Sequence, residues 1–413
     1  MSQPRAEGRI LTGLFLAHAL GSAAVIATAT VAAIVGAELG GRTWLAGFPS
    51  AAFQIGGALT ALIVAWFVTR FGRRGGLTAA TLLGFGGMTV AMLAVIEGAF
   101  SILLVALVFA GTGSAAVRFA RFTAAEIVPH ARRGRAVAIV VMGGTVGSVL
   151  GPALVAPTGT WSAAQGWGEL AGPFIAATVL MFSAAVTFHV FLRPEPRILA
   201  ARHELPEQED GTLAPPRPWR TLLRDPGVVT AILVLVLAQG VMVMLMGITS
   251  LHMHAHDHAL SLISLVFSGH TLGMYAFSLA SGVAADRYGR TPVILVGGWI
   301  LALSCLLAPL SPAFVPLFIA LFLLGYGWNL AYVAGSAMLS DHLSTREKSA
   351  TQGVTDLAMG LTSATASLTG GAVFALSGFA VMSLAGLVGS LALIVITVRY
   401  RRGVAQTSPL PTT

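Results

Sequence analysis

GVAADRYGRT, residues 282–291, has a counterpart far upstream in AWFVTRFGRR, residues 65–74. Each closes a long apolar run with an aromatic residue, a glycine and arginines, and each carries the chain into a charged loop. A second pair lies downstream of each copy. Aligned without gaps, GTGSAAVRFARFTAAEIVPHARRGRA from Gly111 matches GYGWNLAYVAGSAMLSDHLSTREKSA from Gly325: glycines at i and i+2, then a helical stretch, then a charged loop holding Arg132 or Arg346. The chain reads as two copies of one design.

Composition says what the design is built for. The 413 residues are 56% hydrophobic and only 10% charged, with a mean hydropathy of +0.84. Runs long enough to cross a bilayer as helix, roughly 20 residues each, fall near 11–36, 43–69, 75–97, 99–121, 134–158, 170–192, 227–251, 262–285, 292–310, 314–338, 350–376 and 379–398. They are continuously apolar, whereas strands of a transmembrane barrel are short and alternate in polarity. The expected fold is an all-α membrane protein of twelve spans embedded in a lipid bilayer, the first span being retained as a mature helix rather than cleaved as a signal peptide.

Charge then gives topology. Short-loop Lys and Arg set orientation, and alternating the spans collects Arg70, Arg73, Arg74, Arg132, Arg133, Arg135, the 193–224 stretch, Arg287, Arg290, Arg346, Lys348 and Arg399 to Arg402 on one side, with Arg42 on the other. Both termini are expected in the cytoplasm of a bacterium, the chain lying in its inner membrane. The net charge of +8 is therefore a topology signal, and no basic stripe with aromatic partners points to nucleic acid. Cys305, the one cysteine, excludes an internal disulfide and reads as a small core residue.

The composition break at Arg193 to Pro226, RPEPRILAARHELPEQEDGTLAPPRPWRTLLRDP, marks a solvated connector. It separates a first six-helix half, residues 1–192, from a second, 227–398, with a tail at 399–413. Duplicated halves of this kind are how many secondary transporters are built, with the cargo site near mid-membrane between repeats.

Gly282, Asp286, Arg287, Gly289 and Arg290 fit G-x-x-x-D-R-x-G-R, and the motif, occurring twice, resembles the loop of the major facilitator superfamily. The resemblance covers all twelve spans and implies two pseudo-symmetric six-helix halves. It also assigns conformational gating to Asp286, Arg287, Gly289, Arg290 and, in the first copy, Arg70, Gly72 and Arg73. In that copy Ala65 and Thr69 replace the glycine and aspartate, so the lock is expected to rest more on Asp286. GGTVGSVLGP, residues 143–152, is similar to the family's fifth-helix signature; as physics it is a packing and hinge motif.

The cargo is suggested by sulfur. In GVMVMLMG, residues 240–247, Met242 and Met246 fall on one helix face with Gln239, while Met244 points elsewhere. SGHTLGM, residues 268–274, repeats the i, i+4 spacing with His270 and Met274. Thioethers and an imidazole suit a soft ion such as Cu(I), and an intramembrane histidine is costly and usually faces a partner or cavity. Either motif alone is weak, because Met88 and Met92 repeat the spacing without a histidine and methionine fills irregular cores. From the residues alone, a metal site and a structural histidine beside packing methionines both stand.

The paired motifs on the seventh and eighth spans resemble the signature of the CcoA-like copper importers, a branch of the same superfamily. That resemblance implies a non-enzymatic monomer that carries copper into the cytoplasm through Met242, Met246, His270 and Met274, to a cytoplasmic acceptor and maturation of cbb3-type cytochrome c oxidase. Copper is then substrate, with no resident cofactor and no catalytic residue. Relatives lacking the motifs include riboflavin transporters, which keeps an organic-solute transporter as the alternative.

Between the two spans, LHMHAHDHALS alternates His252, His254, His256 and His258, with Met253 and Asp257. In an extended loop these imidazoles share one side and form either a metal-capture device or an ordinary polar loop. His18 either lines the cavity or hydrogen-bonds a neighbouring backbone, and Gln54, Gln239 and Asn329 either polarise a path or join helices. Arg118, Arg121 and Glu126 read as a structural charge cluster. Asp356 reads as a helix-dipole partner near the start of the eleventh span. No deeply placed acid is found to couple transport to an ion.

Overall fold

A computed structural model describes residues 3–129, 132–203 and 217–407. The described residues form helix and connecting turns, with no strand among them. Helices suit this chain because each satisfies its own backbone hydrogen bonds where lipid offers none. They are α1 (Gln3–Gly40), α2 (Phe48–Ile96), α3 (Phe100–Glu126), α4 (Arg133–Ala164), α5 (Ala171–Phe191), α6 (Pro196–His203), α7 (Trp219–Leu222), α8 (Pro226–His254), α9 (Leu260–Tyr275), α10 (Ser278–Tyr288), α11 (Arg290–Leu307), α12 (Phe314–Asp341) and α13 (Thr345–Thr407).

Ten helical stretches among the described residues are long and apolar enough to cross a membrane. Two of the helices, α2 and α13, run on through a glycine break. The breaks are Gly72 in α2 (φ 78°, ψ 179°) and Gly378 in α13 (φ 79°, ψ 178°). Gly289, between α10 and α11, has nearly the same backbone (φ 89°, ψ 159°). That region is open essentially to glycine alone, so the glycines of the two loop motifs, Gly72 and Gly289, bend the chain for the same reason.

The chain divides into two compact units. The first is Met1–Thr212 with Met253–Ser268, and the second is Leu213–His252 with Gly269–Thr413. In the first unit, α2 lies along α3, and α1 packs on α4 and α5. Ile10, Leu14, Leu77, Ile127, Phe188 and Leu199 are fully or nearly fully buried there in one cluster. The small residues of 143–152 do pack closely: a Cβ on Gly147 would fall 2.1 Å from Ala19 O of α1. In the second unit, α11 packs on α12 and α13.

The connector is not simply solvated where it is described. Its first end folds into α6, and Glu195 accepts hydrogen bonds from Arg73 N (2.6 Å) and Arg74 N (3.3 Å). Arg197 donates to Val68 O (2.6 Å) on the other side of the Gly72 break. Its far end folds into α7, where Arg217 pairs with Glu347 (2.9 Å) and donates to His342 O (2.7 Å). Each charge meets the helix terminus that its sign favours, an arrangement that composition alone does not announce.

Candidate cargo site

Unit 2 is organised around α12. Leu235 lies against Gly335, and Gln239 Oε1 accepts a hydrogen bond from Trp328 Nε1 (3.0 Å). As the chain advances along α8, its partners on α12 recede, so the two helices are antiparallel. Met242 and Met246, three and seven residues beyond Gln239 on the same stripe, continue along α8 in the direction of residues 321–325 of α12.

His270 and Met274 meet the same stretch from α9. His270 Nδ1 donates to Leu321 O (2.9 Å), and a Cβ on Gly325 would fall 2.2 Å from His270 O and 3.1 Å from Met274 N. All four residues belong to unit 2. All are buried: Met242 is 8% exposed, Met246 5%, His270 2% and Met274 8%. Met244 instead packs on Gly370 of α13.

Histidine chemistry sharpens the arrangement. A carbonyl can only accept, so Nδ1 carries the proton. In the neutral ring the other nitrogen is then a bare acceptor, and Nε2 is buried without a hydrogen-bond partner. A metal-binding histidine is held in this way, one N–H tied to a carbonyl and the opposite lone pair offered to the ion. Among the described residues, no three His, Cys, Asp or Glu side chains gather as a metal-holding group. An ion here would meet one imidazole and neutral sulfur.

Neighbouring polar groups are tied into packing. Gln239 Nε2 donates to Ser363 Oγ (2.9 Å), and Asn329 donates to Met274 O (2.6 Å) and Ser278 Oγ (2.8 Å). Both join helices, and Asn329 also fixes the end of α9 beside Met274.

The histidine-rich segment departs from an extended loop. α8 continues through His254, and His258 N→Met253 O (3.2 Å) with Asp257 N→His254 O (3.1 Å) closes a helix-ending Schellman turn. Asp257 takes the left-handed position (φ 60°). Side chains therefore fan around a helix end rather than share one side. His252 stacks on Phe379 (4.1 Å between centroids) in unit 2, His254 Nε2 lies 3.2 Å from Glu38 in unit 1, and Met253 is fully buried. His256 and His258 occupy the turn.

The residues of the loop motifs have partners that their spacing does not name. Asp286 bonds Arg290 within its own loop (2.6 Å), and Arg290 reaches Asp341 of α12 (3.0 Å). Arg287 lies over the Tyr288 ring, and Arg70 is exposed. In the first copy, Arg73 grips Glu126 of α3 through two nitrogens, while Thr69 turns to its own helix at Trp66 O (2.8 Å). Glu126 of α3 thus serves Arg73 as Asp341 of α12 serves Arg290, and Glu195 caps the break at Gly72.

Two further groups were not legible as they stand. Asp356 is the twelfth residue of α13, beyond the first turn in which a helix dipole acts. With Met359, Tyr332, Ser336 and Gln352 it lines a cleft of about 200 Å³ in unit 2. Glu347 caps α13 by accepting from Ser344 N (2.9 Å); the S-x-x-E spacing of a capping box is the signal that marks it. Its carboxyl titrates well below the usual range, first because Arg217 donates to it.

The sequence profile of the Major Facilitator Superfamily matches residues 13–262 and 235–412. The chain belongs to the major facilitator superfamily. It is 35% identical to the uncharacterized MFS-type transporter YdeG of Bacillus subtilis, over 95% of this chain and 92% of that one. It is 26% identical to the riboflavin transporter RfnT of Brucella anthropi, over 92% of each. A bacterial homolog of the human lysosomal transporter Spinster, solved inward-facing and occupied, superposes with a TM-score of 0.73 over the full length of both chains at 14% identity. The protein is an MFS-type, multi-pass membrane transporter and not an enzyme.

Proposed function

We propose that this transporter imports copper through Met242, Met246, His270 and Met274 by alternating access. The carrying observation is the buried, unpartnered Nε2 of His270, one turn from Met274 and in the same unit as the two further buried thioethers. Soft neutral donors favour Cu(I) and release it more readily than thiolates. The basic loops support an inner-membrane orientation with both termini cytoplasmic, and the resemblance to CcoA-like importers supports delivery to a cytoplasmic acceptor for oxidase maturation.

The test is time-resolved copper uptake by wild type and by His270→Ala and Met246→Ala, matched for membrane abundance. Uptake should fall about tenfold or more in both, by analogy with losses at metal sites. Wild-type rates in both variants would remove the assignment. A second reading, transport of an organic solute of the flavin class, is favoured by the similarity to RfnT. Saturable riboflavin uptake that copper does not inhibit, and that survives His270→Ala, would select it.

A further inference from the structure

Unit 1 carries a polar group of a different sign. Aligning the duplicated sequences pairs Gly111 with Gly325 and, through the contacts of these glycines, Phe53 with His270 and Gly57 with Met274. A Cβ on Gly111 would fall 2.3 Å from Phe53 O and 2.6 Å from Gly57 N, just as one on Gly325 would meet His270 O and Met274 N. The first half thus lacks a side chain where the second offers the Met274 thioether. A guanidinium lies against that place instead: a Cβ on Gly57 would fall 3.2 Å from an Arg118 terminal nitrogen.

Arg118 sits eight residues before the end of α3, roughly 12 Å inside it at 1.5 Å per residue. It does not run toward the helix end, as a snorkelling side chain would; its Nη1 donates back to Ser114 Oγ (2.8 Å). Arg121 follows one turn later. His18 of α1 is within electrostatic reach of both arginines and lies beside the Val117 backbone. Its Nδ1 is buried without a hydrogen bond of normal length, and its Nε2 fills the space over Gly144, where a Cβ would come within 2.7 Å. Two glycines therefore make room for two basic groups, an exposed Arg118 and a partly buried His18, along membrane-spanning helices, where charge is costly and marks a functional path.

We propose that Arg118 and Arg121, with His18, form an oxyanion-binding site in unit 1 for a carboxylate or phosphate. Guanidinium groups match both anions through paired N–H donors, and the imidazole adds one further hydrogen bond. The chemistry does not require copper to be the cargo.

The test is equilibrium binding of radiolabelled citrate and inorganic phosphate to the full-length protein in phosphatidylcholine nanodiscs, with thermal unfolding in discs containing phosphatidylglycerol as the lipid arm. Wild type should bind at least one soluble anion saturably, Arg118→Gln and Arg121→Gln should weaken it tenfold or more, and His270→Ala should keep it while losing copper uptake. Stabilisation by phosphatidylglycerol that both arginine variants lack, without soluble-anion binding, would assign the same site to a lipid headgroup phosphate. Absence of both effects in wild type, or equal effects in the variants, would overturn the site. Should a glutamine variant fail to insert, Arg118→Lys and Gly57→Ala make the same comparison: lysine should retain part of the binding, and the added methyl group should weaken it.

Discussion

His270 is fixed at one nitrogen and open at the other. Its sequence neighbours show a spacing; Leu321 O, on a helix some fifty residues away, decides which nitrogen is free. His270→Gln is therefore expected to lose saturable copper uptake as fully as His270→Ala, because an amide can keep the Leu321 hydrogen bond yet offers no imidazole lone pair. A Gln variant with wild-type uptake would show the residue to be structural. Gly325 acts through contact alone. Gly325→Ala should cost about 1–3 kcal/mol from overpacking, and should depress uptake by pushing α9 while leaving every donor in place. Thermal unfolding together with uptake in the same membranes reads both effects.

At the scale of elements, α2 shows how a break is held. The positive φ of Gly72 opens it, Glu195 caps the N–H groups that follow it, and Arg197 caps carbonyls that precede it. Gly72→Ala should destabilise by about 1–3 kcal/mol, seen as a lowered unfolding midpoint. Glu195→Gln should cost about 0.5–2 kcal/mol, the usual range for a lost helix cap, and much less when Gly72 is already replaced if the two act on one break. The glycines and arginines of this loop were readable from the repeat. The acid that serves Arg73 was not, because Glu126 and Glu195 reach it from α3 and from the connector, and no spacing rule links those positions. The same holds for the histidine segment, where alternation suggested an extended loop and the Schellman turn, closed by backbone bonds, won.

Across the whole molecule, each described end of the connector is tied to one compact unit by charge: Glu195 and Arg197 to the first, Arg217 to the second. Glu347 gives this a pH signature. Its folded pKa lies below the ordinary carboxylate value, so its contribution is complete above about pH 4.3 and is lost as pH falls from there toward the depressed folded value. Unfolding midpoints of wild type and Glu347→Gln should differ at neutral pH and converge on acidification below about pH 4; a constant gap would show that Arg217 does not depend on the carboxylate. The amino-acid sequence by itself determined the helical membrane class, the apolar spans, the duplication and the candidate donors, since these follow from hydropathy and periodicity along one dimension. Only the tertiary structure decided that His270 presents Nε2, that His270 and Met274 meet α12 at Leu321 and Gly325, that the histidines diverge and that Arg118 stands over Gly57. Those outcomes depend on which helices meet and at what height, and contacts between residues distant in the chain leave no trace in local spacing.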